Sequence, residues 1–231
     1  MPVWTVSSPG TPLQTSGSNP ASGTWTIPAN SVADDFLICY MYSRDNTFDW
    51  TVSGVTLKNS ANGATGRIGI YYKRLAGGDA NPTWTRSVSS TNCTVMYGCF
   101  LVRRADPTVT DPFEAESGAP AAWSNTTTPN PDSVVTISDG AMVIVISGAN
   151  NDGTHSPSTS PATYSEITDH EDTTGTDASA TSFYRIVATA GTEDPGTFTR
   201  AGNATASDDG YVWTGAIKPH FFRPRITTRI G

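Results

Sequence analysis

Residues 71–86 read YYKRLAGGDANPTWTR, and residues 183–200 read FYRIVATAGTEDPGTFTR. Laid over each other, Tyr72 meets Tyr184, Lys73 meets Arg185, and Asn81-Pro82 meets Asp194-Pro195. Trp84-Thr85-Arg86 then meets Phe198-Thr199-Arg200. Each copy is a β-prone run, a turn marked by Gly and Pro, and a second short β-prone run. The agreement reaches outward. Tyr97 and Tyr211 each fall 13 positions after the aligned aromatic. Upstream, ADDFLICYMYS (33–43) corresponds to SDGAMVIVISG (138–148), and TWTI (24–27) corresponds to VVTI (134–137). A chain that repeats strand–turn–strand phrases over two halves is expected to be all-β.

Composition supports that class. The 231 residues suffice for one large β domain or two small ones. Charged residues make up 15%, well under the usual quarter, while 21 Gly and 16 Pro punctuate the chain. No span combines a 3.6-residue apolar period with helix caps. From Phe36 to Tyr42 every position is apolar or aromatic. A strand with one wet face alternates, so this strand is expected to be covered on both faces, by a loop or by another subunit. The halves fit either two tandem domains or a single sandwich in which each half supplies strands to both sheets. A unit of about five strands exposes too much apolar surface alone, which favours the single sandwich. The expected layout is an N-terminal arm (1–23) and a β-sandwich (24–218) with half-repeats of about 24–113 and 132–218 joined by a linker. A basic C-terminal arm (219–231) follows.

An Asp-bearing turn into an apolar strand, the Tyr72-Lys73 and Tyr184-Arg185 strands, a Pro loop, the Thr-Trp-Thr and Thr-Phe-Thr runs and an apolar closing strand together resemble a jelly-roll β-sandwich module. The resemblance covers most of 24–217 and is to bacteriophage virion structural proteins and some bacterial surface proteins. It implies a jelly-roll-like antiparallel sandwich and a virion or surface component that is not an enzyme. It carries no catalytic residue to this chain.

Charge and hydropathy narrow the field. The formal net charge of −7 disfavours nucleic-acid binding. No run approaches the ~18 apolar residues of a membrane span, and no basic region followed by an apolar run opens the chain, so synthesis in a host cytoplasm without a signal peptide is expected. The three cysteines, Cys39, Cys93 and Cys99, sit in apolar runs and read as free buried thiols; a Cys93–Cys99 bridge is the weaker alternative.

Candidate chemistry is sparse. ATYSEITDHE (162–171) reads as a strand running into an acidic loop, and the run SEITDHEDTTGTD (165–177) offers Asp169, Glu171, Asp172 and Asp177 as oxygen ligands for Ca²⁺, but lacks the EF-hand spacing; solvated acidic side chains are the plainer reading. His170 is far in sequence from His155 and His220, and no Cys/His spacing suits zinc. There is no nucleophile elbow, phosphate loop or dinucleotide fingerprint, so no catalytic residue and no cofactor is assigned. A polysaccharide hydrolase is a further alternative, since two facing carboxylates leave no spacing signature. Trp84 and Trp213 are expected in the core, whereas Trp50 and Trp123 near loops are the candidates for stacking on a glycan.

The last stretch is basic, aromatic and β-capable. Phe221, Phe222, Ile226 and Ile230 alternate with Arg223, Arg225 and Arg229, and no carboxylate interrupts them. Such a segment suits docking onto a neighbour's sheet edge, with Trp4 of the N-terminal arm a second anchor. The expected function is a capsid decoration (cement or head-spike) protein, binding other copies of itself and a major capsid or tail protein. The alternatives are a tail-fibre receptor-binding or carbohydrate-binding module for a host surface glycan, and, less favoured, the hydrolase.

Overall fold

The computed structural model describes residues 5–7, 14–15, 21–44, 49–64, 66–87, 94–103, 105–151, 155–157, 164–172, 178–200, 205 and 208–220. Among them there is no helix. The first half contributes β1 (Thr5–Ser7), β2 (Gln14–Thr15), β3 (Ser22–Thr24), β4 (Phe36–Ser43), β5 (Trp50–Ser53), β6 (Thr56–Gly63), β7 (Gly66–Arg74), β8 (Thr83–Arg86) and β9 (Val95–Arg103). The second contributes β10 (Phe113–Glu116), β11 (Ala121–Ser124), β12 (Val134–Val135), β13 (Met142–Ala149), β14 (His155–Pro157) and β15 (Ser165–Asp172). It continues with β16 (Ala178–Ile186), β17 (Thr192–Glu193), β18 (Phe198–Arg200) and β19 (Asp209–Ile217).

Two six-stranded antiparallel sheets form the body. One runs β1-β9-β4-β7-β6 with β2 also on β9; the other runs β10-β19-β13-β16-β15 with β11 also on β19. The protein is an all-β antiparallel sandwich. The halves do bury each other, but not by interleaving as the sequence suggested: each half builds one whole sheet. Pairing β4 with β7 and β9 of its own half closes shorter loops than exchanging strands across the molecule would, at somewhat lower cost in chain entropy.

The two sheets are wired alike. Ile38 faces Tyr72 across β4 and β7, and Ile144 faces Tyr184 across β13 and β16. The Asp34 amide donates to the Leu75 carbonyl while the Leu75 amide donates to the Asp35 carbonyl. Gly140 and Val187, then Val187 and Ala141, make the same two bonds in the other half. Asp34 and Gly140 both take positive φ, 72° and 75°, at the tight entry to the long strand, a conformation cheap for Gly and tolerated by Asp. Tyr97 and Tyr211 depart from this parallel. Tyr97 lies on the outer face of its sheet and Tyr211 on the inner face of its own, so the 13-residue spacing aligns them in sequence but not in space.

Strand alternation explains the continuous apolar runs. On β4, Phe36, Ile38, Tyr40 and Tyr42 point into the space between the sheets, while Leu37, Cys39 and Met41 point outward. On β13, Met142, Ile144 and Ile146 point in, and Val143 and Val145 point out. The inner core joins both sets with Phe100, Trp213 and Ile217. The outer faces are covered by the chain itself. A three-stranded sheet, β3-β8-β5, lies over the first with Trp25 and Trp84, and the pairs β12-β17 and β14-β18 lie over the second with Phe198. Trp84 and Trp213 are both fully buried, as their strand positions suggested.

The stretches expected as arm and linker carry pairing strands. β1 and β2 line β9, and β10 and β11 line β19. The Arg86 amide bonds the Ala21 carbonyl, and the Arg200 amide bonds the Thr127 carbonyl. The sandwich thus extends beyond 24 toward the N-terminus and includes the 114–131 link. Across the open side, Lys58 Nζ bridges Asp111 Oδ2 (2.9 Å) and Glu116 Oε1 (3.3 Å), tying β6 to the start of the second half.

Glycines in the long strands make room for aromatic rings. A Cβ on Gly148 would lie 2.5 Å from Tyr42 Cδ2 and 2.6 Å from its Cβ. Gly148→Ala is therefore expected to lower unfolding free energy by about 1–3 kcal/mol through overpacking, measurable by urea denaturation. A loss below about 0.5 kcal/mol would show that the Tyr42 ring shifts freely.

Candidate functional site

Trp4 and the docking candidates Phe221, Phe222, Arg223, Arg225, Ile226, Arg229 and Ile230 lie outside the described residues. The chain is last described at Pro219, bridged to Ala105, and His220, so the body reaches past the expected boundary at 218. Lys218 Nζ pairs with Asp106 Oδ2 at 3.0 Å and anchors this exit.

The two glycan candidates are not open platforms. Trp50 sits on β5, half-buried against the outer core, with the Arg67 guanidinium 5.1 Å over its ring. Asp49 Oδ1 holds that arginine at 2.5 Å. Trp123 sits on β11, only 9% exposed, with the Arg200 guanidinium 5.4 Å over its ring. Short linking segments here fold back as edge strands, so a tryptophan read as lying near a loop is packed.

The first part of the acidic run is a strand, as the 162–171 stretch suggested. β15 continues to Asp172 as an edge strand of the second sheet, and ladder geometry separates its side chains to opposite faces. Asp169 is half-buried and Glu171 exposed, while the intervening His170 is buried. Asp177 and the Asp172 side chain lie outside the described residues. Among the described residues no three His, Cys, Asp or Glu side chains converge as a metal site would need.

What the fold does assemble is a polar cluster between the sheets. The Tyr40 hydroxyl from β4 meets Thr168 Oγ1 from β15, which lies 2.6 Å from Ser182 Oγ on β16. Thr181 Oγ1 donates to the Thr168 carbonyl at 2.8 Å. The His170 ring stacks on Tyr40 with centroids 6.2 Å apart and planes 15° from parallel. Gly98 leaves the room for both: a Cβ there would come within 2.5 Å of the Tyr40 hydroxyl and 2.8 Å of His170 Nε2. Burial pushes the imidazole down to about 4, against a smaller opposing effect of the Asp169 backbone, so His170 is neutral at pH 7. Burial likewise pushes the Tyr40 phenol up. Hydroxyls and a neutral imidazole sealed between two sheets can fix the sheets' relative position. They cannot meet a dissolved substrate without separating the layers.

A second polar group sits at the end of the second sheet. Arg200, the arginine of the Phe-Thr-Arg phrase, forms a buried ion pair with Asp208 and also donates to the Asn151 carbonyl (3.3 Å). Burial alone would raise the Asp208 carboxyl. Bonds from Thr205 (Oγ1 2.6 Å, amide 2.8 Å) and from Asn151 Nδ2 (2.8 Å), together with the Arg200 charge, outweigh it and hold the group below its usual value. The repeated Thr-Arg phrase marked Arg200 in sequence, but nothing there pointed to Asp208 as its partner. The Tyr40 cluster had no sequence signal, because Tyr40 and Thr168 are 128 residues apart.

These features define a class: a double-sheet, all-β protein in which the two polar clusters found among the described residues are buried. Compared with protein-family models, with curated proteins and with solved structures, the chain finds no match.

Proposed function

We propose that this protein is a virion structural component, a capsid decoration protein that binds neighbouring subunits through short chain segments outside its sandwich. The observation that carries the reading is the way the chain finishes its own sheets. β1 and β2, three and two residues long, are laid on β9, and β10 and β11, four residues each, are laid on β19. Strand addition by short flanking segments is thus a working mode of this chain. The segment beyond His220 has the same β-capable character, with arginines suited to a second copy of this chain, whose net charge is −7. The layered body serves as a rigid mount. Trp123 is packed, Trp50 is half-buried beneath Arg67, and Asp169 and Glu171 lie along an edge strand, which favours the adhesive reading over sugar binding or hydrolysis.

Two measurements test it. Deleting 221–231 spares the Ala105–Pro219 bridge, so the truncated chain is expected to keep the parent's circular dichroism and melting midpoint while losing self-association by light scattering. A full chain that stays monomeric, or a truncated one that assembles equally, sinks the docking mode. Mass-spectrometric inventory of purified phage particles is expected to find the chain in many copies per particle. Absence from particles sinks the virion role.

A further inference from the structure

Cys39 and Cys99 are directly opposite each other on β4 and β9, the two central strands of the first sheet on the side of β1. Both side chains point to the outer face, into the same apolar cluster. Both are free thiols, buried at 0% and 2% exposure. Directly opposed residues of an antiparallel pair have Cα atoms about 4.5–5.5 Å apart, inside the roughly 4.4–6.8 Å range that a disulfide spans. The sequence drew attention instead to Cys93 and Cys99; Cys93 lies outside the described residues, and the register gives Cys99 a different partner.

We propose that Cys39 and Cys99 are an oxidisable dithiol that closes to a cross-strand disulfide, covalently joining β4 to β9 from under the β3-β8-β5 cover. The co-reactant is a small disulfide of the glutathione class. The Cys99 thiol loses its proton and its sulfur attacks one sulfur of the reagent. The reagent S–S bond breaks, and the departing thiolate takes up a proton. Cys39 then loses its proton and attacks Cys99 Sγ, releasing the second reagent thiol. Two protein thiols are oxidised by two electrons, and one reagent disulfide becomes two thiols.

Access comes through the cover. Cys99 Sγ lies 3.4 Å from the Thr26 carbonyl, in the segment that follows β3, so this segment sits directly on the thiol. β3, β8 and β5 are only three or four residues long, and short pairings open locally at lower cost than the long ladders beneath. Burial, then the Cys99 neighbour, push the Cys39 thiol up, so closure is slow while the cover is shut and quickens as it opens. The pair therefore stays reduced during synthesis in a reducing compartment and closes after transfer to an oxidising one. This inference stands independently of the virion reading.

The test uses the full chain with Cys93→Ser, incubated with excess oxidised glutathione in urea from zero to just below the unfolding transition. The expected product is lighter by two hydrogens and has no titratable thiol after denaturation. Its non-reduced digest contains the Cys39 and Cys99 peptides linked, and its higher melting midpoint reverses on adding reductant. Cys39→Ser and Cys99→Ser in the same background are expected to give only a glutathione adduct or an unmodified thiol. Two thiols still titratable at the highest urea, or glutathione on each cysteine without an internal link, would overturn the proposal.

Discussion

Arg200→Met unfolds with about 3–5 kcal/mol less free energy than the parent, the loss expected when one partner of a buried ion pair is removed. The guanidinium and the Asp208 carboxylate are both buried, and the carboxylate was taken out of water on the strength of the charge beside it. Methionine fills much of the arginine's volume but leaves Asp208 with only the Thr205 and Asn151 donors. The stacking of Arg200 over Trp123 is lost as well. Asp208→Asn, which keeps an oxygen acceptor, is expected to cost less. The double variant separates the pair from its surroundings: if the ion pair is the main effect, the two substitutions together destabilise by less than the sum of each alone. Urea unfolding followed by tryptophan fluorescence and circular dichroism provides the free energies. A loss under 1 kcal/mol for Arg200→Met would mean that water reaches the site and screens the pair.

How far the fold was legible depended on whether a feature was local. The run from Phe36 to Tyr42 announced a strand covered on both faces, and alternation of its side chains between inner and outer cores bears that out. The Asp34-Asp35 turn and the cores around Trp84 and Trp213 were legible for the same reason: turn preference and burial are properties of a few neighbouring residues. What the cover was made of was not legible. Ser22–Thr24 and Trp50–Ser53 are too short and too polar to be recognised as strands over a sheet, yet both pair with β8. The 114–131 link misled similarly, because Gly, Pro and Ser between strands look the same whether the chain crosses solvent or lies along an edge. Partner identity was the hardest. Cys39 opposes Cys99, Tyr40 meets Thr168 and Arg200 meets Asp208 through ladder registers and sheet stacking, which no spacing in one sequence specifies.

His170 makes the sandwich acid-sensitive in a way that a carboxylate-only protein would not be. The imidazole is 4% exposed, its ring lies on Tyr40, and its folded-state value falls to about 4 from an ordinary 6.5. Because the folded value is depressed, this group's full contribution to stability is present above pH 6.5. It is lost as pH falls from 6.5 toward 4, where the unfolded chain binds a proton that the folded one excludes. The loss attributable to His170 is about 2 kcal/mol between pH 7 and pH 5, and about 3 kcal/mol by pH 4. Carboxylates titrate in the lower part of that window too, and the Asp208 carboxyl, held below its usual value, adds its own loss as pH falls. The difference between parent and His170→Phe isolates the imidazole. The phenyl ring keeps an aromatic surface against Tyr40 and cannot take up a proton. Whatever the variant's stability at pH 7, its unfolding free energy is expected to fall by about 2 kcal/mol less than the parent's between pH 7 and pH 5. Parallel pH profiles for the two proteins would place His170 in contact with water and remove the acid sensitivity from the space between the sheets.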